Sequence, residues 1–129
     1  MYDAKTGREI NHVPTGQIEI NATVFAPDGK TIATSGDDET IRLLDAVDGK
    51  PRLRISGPKG RHAFSVLFTP SGGQIVTTWN DPVIRIFNTQ TGALEGELKD
   101  SKDTVNQIAL APDGKTLASG SDDGAAGLW

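Results

Sequence analysis

The sequence contains no cysteine, which excludes disulfide bonds, thiol chemistry and tetrahedral zinc sites built on thiolates. It has only two histidines, His12 and His62, and they belong to different repeat units of the pattern described below. Neither a histidine-based metal site nor a nucleophile–histidine pair is expected within one chain. We therefore expect no catalytic residues, no metal and no cofactor.

Long hydrophobic runs are also missing, since the longest apolar stretches have the length of a strand and fall far short of the ~20 residues that a bilayer requires. No basic and apolar leader follows Met1. A basic surplus is absent too, because 17 acids outweigh 13 bases for a net charge of −4. These absences predict a cytoplasmic protein that binds neither a membrane nor nucleic acid.

One pattern occurs three times along the chain. Four kinds of anchor, a proline, an aspartate, a large apolar residue and a turn glycine, each recur at intervals of 42 or 43 residues. The anchors are Pro27, Pro70 and Pro112; Asp38, Asp81 and Asp123; Leu44, Phe87 and Trp129; and Gly7, Gly49 and Gly92. Residues 1–129 therefore divide into repeats at about 3–44, 45–87 and 88–129.

Each repeat predicts four short strands, because β-favouring residues alternate between the anchors. Four strands in a unit of about 40–45 residues are typical of a β-propeller blade. The predicted innermost strands are 18–26, 62–69 and 104–111, and the second strands are 31–36, 74–79 and 116–121. The predicted third strands are 40–45, 83–88 and 125–129, and the outermost strands are 8–13, 51–56 and 93–98.

Two stretches carry a resemblance to a known family: Thr-Ile-Arg-Leu-Leu-Asp at 40–45 and Leu-Ala-Ser-Gly-Ser-Asp-Asp at 117–123. With the Pro-Asp-Gly turns they resemble the WD-repeat family over essentially the whole chain. The family's Gly-His dipeptide is missing, because Gly16, Lys59 and Ser101 stand at the matching positions, and its tryptophan remains only as Trp129. The resemblance implies an all-β fold of three four-stranded antiparallel blades and a non-catalytic scaffold for protein–protein interaction.

The acidic pairs at 37–38 and 122–123 raise the possibility of a cation site, because neighbouring carboxylates attract hard metals. The repeat favours a different interpretation. One aspartate recurs at the same place in each unit, as Asp38, Asp81 and Asp123, which is typical of a turn residue that accepts backbone hydrogen bonds. We expect these three aspartates to be structural.

A partner-binding surface is predicted where basic residues and a tryptophan fall on one end of the blades. Lys59, Arg61 and His62 enter an innermost strand, and Trp79 and Asn80 end a second strand. Trp79 replaces the small residue found in the other repeats, and an exposed tryptophan beside arginine is typical of a binding hot spot. The alternative is that Trp79 packs onto a neighbouring loop and only fills space. The expected partner is a protein or peptide.

Ring closure is predicted to need a second copy of the chain. Three blades are too few to close, since propellers typically have about 4–8. The last blade lacks an outer strand, and the turn from Tyr2 and Asp3 to Gly7 repeats the one from Phe87 to Gly92, so Tyr2 and Trp129 claim one position. Strand exchange at each junction then gives nine blades in a homotrimer, favoured over six in a homodimer because the resemblance implies rings of seven or more.

Two other functions are open to the same sequence. The chain could be an engineered or excised propeller fragment whose only activity is symmetric self-assembly. It could also be an enzyme with carboxylates in a central channel, since a fold does not fix a function, although no catalytic constellation supports this.

Overall fold

The computed structural model describes residues 4–9 and 13–129, and within them the chain forms β-strands and no helix. The first sheet contains β1 (Ile20–Phe25), β2 (Thr31–Gly36), β3 (Thr40–Asp45) and β4 (Pro51–Ser56). The second sheet contains β5 (Ala63–Phe68), β6 (Gln74–Trp79), β7 (Ile84–Asn88) and β8 (Leu94–Leu98). The third sheet contains β9 (Val105–Leu110), β10 (Leu117–Ser121) and β11 (Ala126–Leu128).

The strands are antiparallel and lie side by side in chain order within each sheet. Every one of these strands begins and ends within two residues of its predicted position. The all-β prediction and the four-strand repeat are therefore confirmed for the first two sheets. The third sheet has three strands in the described chain, and β11 pairs only with β10. Residues 10–12 of the predicted outer strand 8–13 lie outside the described residues.

Tight turns join the first two strands of each sheet. Gly29, Gly72 and Gly114 have φ of 68°, 73° and 69°, in the left-handed region that favours glycine. Their amides donate to the carbonyl oxygens of Ala26, Thr69 and Ala111 at 2.8–2.9 Å. The recurring Pro-x-Gly segments are therefore equivalent turns at one end of the sheets.

The core lies between the sheets. One apolar cluster joins the first sheet to the second and includes Ile41, Leu43, Val66 and Ile75. Another joins the second sheet to the third and includes Val76, Ile84, Val105 and Ile108. Because side chains alternate between the two faces of a strand, each sheet can offer one apolar face to each neighbour. The three sheets are thus stacked side by side, as blades are in a propeller.

Candidate functional site

The candidate surface is the loop 57–62, which leads from β4 of the first sheet to β5 of the second. Glu39, in the turn between β2 and β3, holds this loop at two points. Its carbonyl oxygen accepts a hydrogen bond from the Gly57 amide, and its carboxylate accepts one from the Gly60 amide, both at 2.9 Å. Glu39 itself has a φ of 62°, a backbone conformation that is uncommon outside glycine. The loop is therefore held on the first sheet by the turn between β2 and β3, in which Glu39 has a positive φ.

Four of the predicted partner-binding residues come together at this loop. Lys59, Arg61 and His62 are exposed and Asn80 is half-buried. The Arg61 guanidinium donates to the Asn80 carbonyl oxygen at 2.7 Å, and the His62 amide donates to the Asn80 side chain at 2.9 Å. The loop is thereby joined to the turn that follows β6 as well as to the first sheet.

His62 also reaches back to the first sheet. Its Nδ1 lies 2.9 Å from the carbonyl oxygen of Asp37, which requires the proton to be on Nδ1 in this hydrogen bond. The Asp37 carboxylate is 3.8 Å from the same nitrogen. The imidazole therefore spans the junction between two sheets, with its ring held in place and partly open to solvent.

Trp79 does not belong to this surface, so the exposed position expected for it is wrong. Its side chain is 0% exposed, its indole N–H donates to the Thr77 hydroxyl at 3.0 Å, and its ring lies against Gly57. Trp79 shares a strand face with Ile75 and Thr77, the face that packs on the first sheet. The alternative interpretation, packing against a neighbouring loop, describes its position. Because Gly57 has no side chain, there is room for the indole ring beside its backbone.

The three repeat aspartates lie at equivalent turns but differ in their partners. Asp81 is buried and binds the Arg85 guanidinium through both carboxylate oxygens at 3.0 and 2.8 Å. It also accepts the Val83 amide at 3.0 Å. Asp38 binds the Arg42 guanidinium at 2.8 Å and the Thr40 hydroxyl at 2.7 Å. Both aspartates therefore fix the start of a third strand through an arginine four residues later.

Asp123 has no such arginine, because Gly127 occupies the corresponding position. Its carboxylate accepts the Ser121 hydroxyl and the Ala125 amide, the latter at 2.8 Å. These hydrogen bonds, that of the Ser121 hydroxyl first, hold the pKa of Asp123 below its ordinary value. Within the described residues, no group of three or more histidine or acidic side chains is arranged to hold a metal ion.

Gln17 is an organising residue that the sequence did not point to. Its amide N–H donates to the Thr40 carbonyl oxygen at 3.1 Å and lies 3.5 Å from the Asp38 carboxylate. Its amide oxygen accepts the Thr34 hydroxyl. Gln17 follows Gly16 and so stands where the resembling family has the histidine of its Gly-His dipeptide. In the first sheet an amide therefore takes the place of this histidine, and an amide can donate and accept at once.

The residues expected at ring closure are described only in part. Tyr2 and Asp3 lie outside the described residues, and Gly7 has a φ of 66°. The indole N–H of Trp129 donates to the Ser119 hydroxyl at 2.9 Å, and its backbone pairs with Leu117. Trp129 packs against the apolar cluster between the second and third sheets. Trp129 therefore contributes to the packing between the second and third sheets of the same chain.

A family model matches two of the repeats. The model of the WD domain, G-beta repeat, matches residues 8–45 and 92–129. The chain belongs to the WD-repeat family. Proteins of this family generally act as scaffolds for protein–protein interaction. None of the described residues forms a helix long and apolar enough to span a bilayer.

Curated relatives agree with this assignment. The chain is 29% identical to Autophagy-related protein 16 of Arabidopsis thaliana over 84% of its own length and 22% of that protein. It is 27% identical to Eukaryotic translation initiation factor 3 subunit I of Taeniopygia guttata, over 96% of the chain and 42% of the relative. It is 28% identical to WD repeat-containing protein 55 of Bos taurus, over 84% and 28%. The chain thus spans less than half the length of each of these WD-repeat relatives.

Proposed function

We propose that the protein is a non-catalytic WD-repeat scaffold that binds a protein or peptide partner on the surface formed by Lys59, Arg61, His62 and Asn80. The observation that carries the proposal is the fixed geometry of the loop 57–62, which is hydrogen-bonded to turns of two sheets and still exposes its basic side chains. A surface ordered before binding loses less conformational entropy when a partner docks.

The chemistry of this surface favours a partner with acidic or carbonyl groups. The Arg61 guanidinium uses one nitrogen on the Asn80 carbonyl oxygen and is otherwise exposed, so further N–H groups are available to a bound chain. Lys59 adds a second cation in the same loop. Asp37 and Glu39 lie behind the loop and are engaged with His62 and Gly60. The absence of cysteine is in keeping with a cytoplasmic site of action.

Affinity capture from a cell lysate tests this proposal. We expect specific partners on the immobilised chain that are lost when Lys59→Glu and Arg61→Glu are combined. Lys115→Glu is the matched control, because Lys115 is an exposed lysine in a turn at the opposite end of the sheets and should leave capture unchanged. Equal loss with both variants, or capture that survives the charge reversal at the loop, would count against this surface. A chain that captures nothing supports assembly as its only activity.

We propose further that the scaffold is a closed ring of several copies, with nine blades in a homotrimer favoured over six in a homodimer. One feature supports this. Among the described residues β11 pairs only with β10, and an open strand edge invites pairing with another strand. Light scattering should give three times, or else two times, the 13.6 kDa of the chain. A stable 13.6 kDa species at high concentration would contradict the ring.

A further inference from the structure

The innermost strand of each sheet contains one extra residue, which forms a β-bulge. The extra residues recur at the spacing of the repeat and are Asn21 in β1, Phe64 in β5 and Asn106 in β9. The bulges are closed in the same way, because the amide that follows each second strand donates to the carbonyl oxygen two residues before the bulge, at 3.0–3.1 Å. Since a bulge re-aims the side chain of its extra residue, the three side chains start from equivalent places at one end of the sheets.

Two of the three bulge residues are asparagines that bind a carboxylate. The Asn21 side chain donates to the Asp37 carboxylate at 2.7 Å, and the Asn106 side chain donates to the Asp122 carboxylate. Both of these aspartates directly precede a repeat aspartate. At these two turns the asparagine and the aspartate therefore satisfy each other and present a polar surface.

The second sheet has Phe64 and Asn80 in place of this polar pair. A phenyl ring cannot donate to Asn80, and the Asn80 side chain accepts the His62 amide instead. The carboxylate of the other two turns is absent at this position, so no acid there offsets the charge of Lys59 and Arg61. The bulge of the second sheet is therefore the one at which an aromatic residue follows a basic loop.

The environment of Phe64 differs from that of a core aromatic residue. Its side chain is half-buried, and it is not among the residues that form or pack against the apolar core clusters of the described chain. Phe68, four residues later on the same strand, packs against the cluster between the first and second sheets. Phe64 therefore contributes apolar surface next to the loop 57–62.

We propose that the partner segment bound here is an acidic peptide with one large apolar side chain, which packs on Phe64 while carboxylates on either side of it bind Lys59 and Arg61. Interaction hot spots combine a desolvated apolar or aromatic contact with arginine, and complementary charges fix the position of the bound chain. The protein has a net charge of −4, so an acidic segment is attracted to it only where cations gather. This inference rests on the partner surface proposed above and names the chemistry of the segment that it takes.

Two short peptides separate the apolar contact from the charges. The probe is the acetylated and amidated peptide Glu-Glu-Leu-Glu-Glu, and the comparison peptide has glycine in place of leucine. We expect the leucine peptide to bind the natural chain about tenfold more tightly, because it buries an apolar side chain that the glycine peptide lacks. Titration followed by backbone amide NMR measures both affinities. The amides that shift should centre on Arg61, His62 and Phe64.

Phe64→Asn is the decisive variant, because asparagine is the residue of the other two bulges and should be tolerated by the fold. It should lower the affinity for the leucine peptide about tenfold and leave that for the glycine peptide unchanged. Leu94→Asn is the matched control, since Leu94 is 50% exposed on the outer strand β8 and should affect neither peptide. The combined Lys59→Glu and Arg61→Glu variant should lose both peptides. Circular dichroism checks that each variant folds.

The comparison of the two peptides on the natural chain depends on no variant. Equal affinity for both, or a Phe64→Asn variant that keeps the preference for leucine, would overturn the apolar contact and leave the basic surface in place. Binding that shifts amides elsewhere, or that survives charge reversal at the loop, would overturn the inference as a whole. So would the absence of binding at millimolar peptide, and in that case the capture experiment above still decides the broader proposal on its own.

Discussion

The indole ring of Trp79 lies against the backbone of Gly57, across the junction between the second sheet and the first, so that a methyl group on Gly57 would overlap the ring. This contact joins the end of β6 to the start of the loop that carries Lys59, Arg61 and His62. The only tryptophan of the second repeat is therefore a core residue that supports the candidate surface from below.

We predict that Trp79→Ala lowers the free energy of unfolding by about 3–5 kcal/mol, as other large-to-small core substitutions do. Gly57→Ala should lower it by about 1–3 kcal/mol through overpacking against the indole. Urea denaturation followed by tryptophan fluorescence and circular dichroism measures both. Gly120→Ala is the control, since nothing lies within 4 Å of an added Cβ there. Stability equal to that of the control in both variants would show that the junction is not packed as described.

The strands could be predicted because the three repeats can be aligned with one another. An element that is ambiguous in one repeat is clear in another. Pro27 and Pro70 place their turns, and Asp38 and Asp81 place the starts of the third strands. These are local relationships within one repeat. The spacing of the repeated residues therefore predicts almost all of the strands that the structure describes.

Contacts across the sheet junctions could not be predicted in the same way. Trp79 was expected to be exposed because the equivalent residues of the other repeats are small. Nothing in the spacing shows that Gly57, in the loop from the first sheet, leaves room for the indole ring. Glu39 and Asp37 were likewise missed as supports of the loop, because they belong to the preceding sheet. Gln17 could not be predicted either, because nothing in the repeat spacing shows that its amide reaches Thr34, Thr40 and Asp38.

Asp81 and Arg85 form the most buried ion pair among the described residues, which separates Asp81 from the other repeat aspartates. We predict that Asp81→Ala lowers stability by about 3 kcal/mol, because it leaves the Arg85 guanidinium buried beside a single carboxylate, that of Glu97 at 3.6 Å. Asp123→Ala should have a smaller effect, since Asp123 is exposed and has no arginine partner. Thermal unfolding of the two variants under identical conditions compares them. The reverse order would refute this ranking.

The side-chain amide of Gln17 should contribute measurably to the stability of the first sheet. Gln17→Ala removes an amide that bonds to Thr34, Thr40 and Asp38, and we expect a loss of about 1–2 kcal/mol in urea denaturation. Gln17→His should recover part of the loss, because an imidazole can also donate on one side and accept on the other. Gln90→Ala, in an exposed turn between β7 and β8, serves as the control. A Gln17→Ala variant as stable as Gln90→Ala would remove Gln17 from the network.

The pH dependence of stability should carry the signature of Asp38. Burial raises the pKa of this carboxyl group, but hydrogen bonds from Thr40, Arg42 and Gln17 lower it by more, so the pKa lies below its ordinary value. A carboxyl group whose pKa is depressed by folding stabilises the native state above the unfolded-state pKa of about 3.9, and that contribution is lost as the pH falls through the folded-state pKa. The stability difference between the natural chain and Asp38→Asn should therefore be full at pH 7 and shrink below about pH 4. Urea denaturation at several pH values measures this stability difference, and carbon NMR of the carboxyl groups follows the titration of Asp38.

In the Gln17→Ala background the pKa of Asp38 should rise, because one hydrogen bond to the carboxylate is gone. A difference that stays constant from pH 7 to pH 3, or a titration that ignores Gln17, would contradict the network described here.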